Sequence, residues 1–222
     1  MKKIIIISFL ISLLTATYTY AQENSFKRFS VTVAPTHLFL GNAKLEVEYR
    51  IGKKMGHSIA VAPQFHYHYF DASLASRSPI PSISFFGYGL EVQHKLFLLK
   101  IIDSTEIYSW RPYFSYGIGY NTFENKYRAD VWYPYEEDGL TYITYGEQDI
   151  NDKIYRWRGS IFIGVQKRTG NFLFEAFGGM TAQFSNINEE YKGLIDYKNG
   201  FWKYGYTGFA PRAGFKIGWY LF

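Results

Sequence analysis

The 222-residue chain contains no cysteine. That excludes disulfides, thiolate metal sites and the acylated cysteine of a lipoprotein anchor, although it does not argue against an oxidising compartment. Long apolar runs are also missing beyond residue 21, so nothing in the later chain reaches the roughly 20 apolar residues that a membrane-spanning helix needs. A large charge excess is absent too. The formal net charge of +5 falls to +3 once Lys2 and Lys3 are set aside, too small and too scattered for a nucleic-acid partner.

Those two lysines precede an apolar run from Ile4 to Leu14, with Thr19-Tyr20-Ala21 as a cleavage site, which reads as an export signal. Residues 1–21 are therefore expected to be removed, leaving residues 22–222 as one domain, large enough for a single barrel or sandwich. What the chain does have is aromatics: 21 Tyr, 20 Phe and 5 Trp, alongside 20 Gly. This composition departs from the globular average towards membrane barrels, whose interfaces carry aromatic girdles.

Eight segments alternate with a period of two, the pattern of a strand with one apolar and one polar face. The first, Arg28 to Thr36, sets Phe29, Val31, Val33 and Pro35 against Arg28, Ser30, Thr32 and Ala34. In the second, Leu45, Val47, Tyr49 and Ile51 alternate with Lys44, Glu46, Glu48 and Arg50. The third sets Ile59, Val61, Phe65, Tyr67 and Tyr69 against Ser58, Gln64, His66 and His68, with Pro63 predicting a bulge or weakened pairing. The fourth is centred on Phe86 to Gln93, the fifth on Arg111 to Tyr120, the sixth on Tyr155 to Gln166 and the seventh on Phe172 to Gln183. The eighth, Phe209 to Phe222, opposes Pro211, Ala213, Phe215, Ile217 and Trp219 to Arg212, Gly214, Lys216 and Gly218. The segment 96–109 is read as a connection, Glu124 to Lys153 as the longest loop and Ser185 to Lys203 as a polar loop.

The polar set is rich in Gly, Ala and Ser, which suits the narrow lumen of an eight-stranded barrel. Its charges come in both signs, and Lys44, Glu46, Glu48, Arg50, Glu91, Arg111, Arg156, Arg158, Glu175, Arg212 and Lys216 are expected to close the lumen as an ion-pair network. The fold read from the pattern is an all-β, eight-stranded antiparallel up-and-down barrel.

The segments LEVEYRIGK (45–53), FGYGLEVQHKLF (86–97), RPYFSYGIGY (111–120) and the closing PRAGFKIGWYLF carry a resemblance to the small outer-membrane barrels of the OmpX, OmpW and OmpA type, more closely to Bacteroidetes-type barrels of similar length. The resemblance implies an outer-membrane location and contact with outer-membrane lipids and lipopolysaccharide. It further implies that barrel-assembly machinery recognises the C-terminal strand. In many relatives an aromatic two residues before the last Phe faces lipid; Tyr220 has that spacing but the wrong parity, so either a bulge near Trp219 or Tyr220 or fraying of the last turn is expected.

No catalytic residue or cofactor is expected. Lipid-remodelling enzymes exist on this fold, but no His–Ser pairing stands out, and His66-x-His68 supplies only part of a metal site. The 124–153 loop holds eight acidic and three basic residues without the spacing of a calcium loop. Its Tyr127, Trp132, Tyr133, Tyr135, Tyr142 and Tyr145 have the composition of a recognition surface for an extracellular ligand of unidentified kind; the alternative is that they simply extend the hairpin above the membrane. Lys53, Lys54, Lys95, Lys100, Lys167 and Arg168 are placed at the periplasmic rim, at lipid headgroup level. The expected role is structural or surface-interacting; a narrow passive conduit and a lipid A-modifying enzyme are the alternatives.

Overall fold

The computed structural model describes residues 28–38, 41–51, 56–67, 82–98 and 110–221. The segment 1–27, Lys53, Lys54, His68, Lys100 and Phe222 lie outside the described residues. Eight antiparallel strands form one closed barrel in which each pairs with its neighbours in sequence: β1 (Phe29–Val33), β2 (Asn42–Ile51), β3 (His57–Tyr67), β4 (Ser82–Phe97), β5 (Trp110–Glu137), β6 (Leu140–Thr169), β7 (Phe172–Asn188) and β8 (Gly208–Tyr220). The first and last strands adjoin, with the Leu221 amide donating to the Phe29 carbonyl at 2.9 Å. We refer to this rim as the terminal end and to the opposite rim as the loop end.

Continuous pairing fixes the geometry of the ring. From Glu48 the inward line runs through Ala60, Gln93, Gly117, Ser160 and Thr181 to Ala210. Taken the other way, Glu48 faces Ser30, which faces Tyr220, so the line closes ten residues displaced along β8. A stagger of that size over eight strands corresponds to a strand tilt of about 40° and an interior only wide enough for side chains.

Alternation sorts the wall as the sequence predicts. Leu45, Val47, Tyr49, Phe65, Tyr88, Leu90, Ile118, Trp157, Ile163, Phe174 and Phe215 are exposed on the outside, while the charged partners of each strand are buried within. Small residues inside make room for rings lying across them. A Cβ on Gly164 would sit 2.5 Å from the Tyr113 ring, and one on Gly87 would sit 2.4 Å from Phe123.

Four expectations are corrected. β1 stops at Val33, because Pro35 supplies no ladder N–H, and Pro35–Leu38 form one helical turn (α1). The seam between β1 and β8 consequently has four residue pairs. The 124–153 segment is a ribbon: β5 and β6 pair continuously out to Glu137↔Leu140. They are joined by Asp138-Gly139, whose φ angles of 53° and 74° both lie in the left-handed region that a two-residue hairpin turn requires. The polar loop after β7 begins later than Ser185, since that strand continues to Asn188. No bulge occurs near Tyr220; pairing continues through Ser30↔Tyr220 and Phe172↔Trp219, which leaves Tyr220 buried inside and Trp219 half exposed outside. At Pro63 the β2–β3 register is the same on both sides, but pairing lapses between Lys44↔Gln64 and Val47↔Val61, as a missing donor dictates.

Candidate functional site

Two constellations fill the barrel's axis. Towards the terminal end, Lys95 on β4 projects inward because it shares the parity of Glu91 and Gln93, and its ammonium meets three carboxylates. They are Glu48 at 2.7 Å, Glu175 at 2.8 Å and Glu46 at 2.9 Å. Lys216 bonds Glu175 at 2.6 Å and Glu46 at 2.8 Å. The Tyr113 hydroxyl donates to Glu175 at 2.8 Å, and Gln166 donates to Glu48 and Glu175. The three glutamate oxygens are close enough together to hold a metal ion, but the Lys95 ammonium is seated among them. Nearer the rim, Arg50 donates to Gln166 at 2.9 Å and to the Tyr220 hydroxyl. Arg111 stacks 4.2 Å from the centre of the Phe97 ring and Arg168 stacks 4.8 Å from that of Tyr220. Lys95 and Arg168 are thus lumen residues and not rim cations; among the described residues of that set, Lys167, against Trp110, faces outward as expected.

Further along the axis, Glu91 gathers Lys44 and Arg158 at 3.3 Å and Arg212 at 3.4 Å, and accepts hydrogen bonds from Gln64 at 2.7 Å and from Gln93. Arg158 also donates to Gln64 at 2.8 Å. Arg156 is held differently, against the Phe123 ring and the Tyr204 carbonyl. All eleven expected network residues therefore point into the lumen, along with Lys95, Gln64, Gln93, Gln166 and Tyr113.

The loop end is closed by an apolar cap. Residues 189–207 fold back over the mouth, and Ile195 and Tyr197 pack with Phe85, Phe123, Tyr127, Ala129, Val131, Ile150 and Ile154. Asp152, inward on β6, ties the cap together by accepting from Tyr127 at 3.0 Å, Tyr197 at 2.9 Å and the Glu190 amide at 3.0 Å. Burial, reinforced by the Asp152 carboxylate, pushes both phenols well above the usual tyrosine range, so both remain donors. Asp196 accepts from Lys203 at 2.5 Å and from the amides of Lys198 and Asn199. Burial would raise its carboxyl, but those donors outweigh it and draw the group down to about 2.

The aromatic surface expected on the loop is divided among three places. Tyr127 is fully buried in the cap. Trp132 and Tyr145 pair across the ribbon on its outward face, ring centres 5.2 Å apart. On the opposite face Tyr135 stacks on Tyr142 at 5.4 Å, and Tyr133 lies over Gly146. The acidic residues do not converge either, since Asp149 pairs outside with Arg128 at 2.7 Å while Asp152 points inward.

Of the histidines, His66 lies in the lumen with its Nε2 3.2 Å from Asn121, and His37 is buried against Phe177. His94 and His57 face each other on the outer wall, with His94 bonded to the Tyr116 hydroxyl at 2.8 Å. Among the described residues no histidine hydrogen-bonds to a serine. Comparison with protein-family models, with curated proteins and with solved structures returns no match.

Proposed function

We propose that this chain is an integral outer-membrane barrel with a plugged lumen, acting as a structural or surface-interaction protein through the ribbon and loop at its loop end. The observation that carries the reading is the inside-out distribution of polarity. Large apolar side chains are exposed all round the outer wall, at Val47, Phe65, Leu90, Ile118, Ile163, Phe174 and Phe215, whereas Glu46, Glu48, Glu91, Lys95, Glu175 and Lys216 are almost wholly buried. A water-soluble barrel would leave this belt in contact with water at high cost, whereas hydrocarbon accommodates it. In this reading the terminal end faces the periplasm and the ribbon stands outside the cell.

The lumen argues against a conduit, because it holds two ion-pair clusters under an apolar roof of Phe85, Phe123 and Tyr204. The ribbon supports the interaction role: Trp132, Tyr145 and Ile143 are 65%, 57% and 73% exposed on a continuously paired hairpin. Two measurements test the proposal. Purified full-length chain should require detergent and migrate differently on gels before and after boiling. In planar bilayers it should give no steady openings; a chain that stays dissolved without detergent, or conducts with the cap intact, overturns the reading.

A further inference from the structure

Carboxylates are unevenly shared along the lumen. In the terminal half, Lys95 and Lys216 sit among Glu46, Glu48 and Glu175, with Arg50, Arg111 and Arg168 nearer the rim. In the loop half, Lys44, Arg158 and Arg212 crowd around Glu91, and Lys44 reaches Glu46 only at 4.0 Å. Arg156 stands beyond even that carboxylate. It is 7% exposed, and its guanidinium donates only to the Tyr204 carbonyl, at 3.3 Å. Its centre lies 4.7 Å from that of the Phe123 ring and 5.9 Å from that of Tyr204, and no carboxylate among the described residues is within ion-pair distance. Two guanidiniums of its own sign, Arg158 and Arg212, act on it, and the Tyr204 phenol beside it acts in the opposite sense.

Other groups gather at the same level. Asn121 is directly opposite Arg156 on β5, and His66 is bonded to Asn121. The Nε atoms of Arg156 and Arg158 and the Oδ1 of Asn121 are buried without a hydrogen-bond partner. Aromatic faces soften a buried cation but do not neutralise it, and buried charge is tolerated when a counter-charge sits beside it.

We propose that the loop half of the lumen is an anion-binding site, in which a small oxyanion of the phosphate or sulfate type is held between Arg156 and Arg158. Arg212 faces it from β8, and Asn121 and His66 flank it. Guanidinium forks match a tetrahedral oxyanion two oxygens at a time, which a halide cannot exploit. The roof of Phe85, Phe123 and Tyr204 separates the site from solvent, so exchange is coupled to lifting of the 189–207 segment. The inference rests on lumen chemistry alone and holds whichever medium surrounds the barrel.

The test uses the full-length chain, in detergent if required, dialysed into a bulky organic sulfonate salt. Sodium phosphate is added at millimolar concentration and constant ionic strength, and the thermal midpoint is followed by near-ultraviolet circular dichroism. Binding to the folded state should raise the wild-type midpoint by several degrees and saturate. Arg156→Met should abolish the shift, and Arg128→Met, on the exposed ribbon, should retain it in full. A wild-type midpoint insensitive to phosphate and sulfate overturns the proposal, as does a full shift in Arg156→Met. Should Arg156→Met fail to fold, wild-type crystals soaked in selenate decide the matter: an anomalous peak beside Arg156 is expected, and peaks only at the protein surface refute the site.

Discussion

Lys95→Met is the substitution that most sharply separates the lumen geometry from a surface reading of the same residue. In the barrel Lys95 is completely buried and bonds three carboxylates within 2.7–2.9 Å. Methionine keeps the unbranched shape, one heavy atom shorter, and removes the charge. Glu46 and Glu175 would keep Lys216, but Glu48 would be left with Gln166 at 3.4 Å. Deleting one partner of a buried ion pair costs about 3–5 kcal/mol, and with Glu48 left without a cation and two further carboxylates each losing one, a loss within that range is expected. A lysine at a headgroup rim would cost less than about 1 kcal/mol. Urea unfolding in detergent micelles, followed by tryptophan fluorescence, measures the difference. Adding Glu48→Gln to Lys95→Met should recover about 1 kcal/mol or more, because neighbouring charges couple by about 0.5–3 kcal/mol. A loss below about 1 kcal/mol for the single variant, or strict additivity in the double, would refute the three-carboxylate seat.

The cap and the wall carry further expectations. Tyr127→Phe removes a donor from Asp152 and should cost about 1–3 kcal/mol, whereas Trp132→Ala on the exposed ribbon should stay within about 0.5 kcal/mol, both read by the same unfolding assay. Asp196, at about 2 in the fold against about 3.9 in an unfolded chain, contributes stability that is complete above about pH 4 and is lost as pH falls towards 2. Protection of residues 189–207 against hydrogen exchange, taken relative to the intrinsic rate at each pH, should therefore fall between pH 5 and pH 2; in Asp196→Asn it should be low at both, and a wild-type-like contrast would contradict the assignment. A Cβ on inward Gly179 would lie 2.1 Å from the Ile161 carbonyl oxygen, while one on outward Gly159 meets nothing within 4 Å. Gly179→Ala should cost roughly 1–3 kcal/mol by overpacking and Gly159→Ala almost nothing, which refolding yield and urea midpoint will report.

Strand parity made most of the barrel legible. Glu46, Glu48, Glu91, Glu175, Arg158, Arg212 and Lys216 all point where alternation places them. Lys95 was legible too, since it continues the odd series of Gly87, Gly89, Glu91 and Gln93, but a lysine near a strand end looks like a surface cation until its register is known. The ribbon also had its signal, Asp138-Gly139 between Tyr135 and Tyr142, obscured by the acidity of its flanks. Tyr220 follows the parity of Lys216 and Gly218, and only the expectation of a lipid-facing terminal aromatic argued otherwise. The cap was not legible. Asp152 meets Tyr197 across 45 positions of sequence, and no local period records a contact between a strand and a distant irregular segment.

Pairing of β5 with β4 is described out to Tyr127 and that of β6 with β7 out to Lys153; beyond these points, among the described residues, the two strands of the ribbon pair only with each other. Ten more residues separate Tyr127 from Glu137, a span of about 33 Å along the strand. Such a mast is longer than most loops are wide. On the proposed reading, a bulky partner would be engaged at arm's length, with the wall and its filled interior left undisturbed.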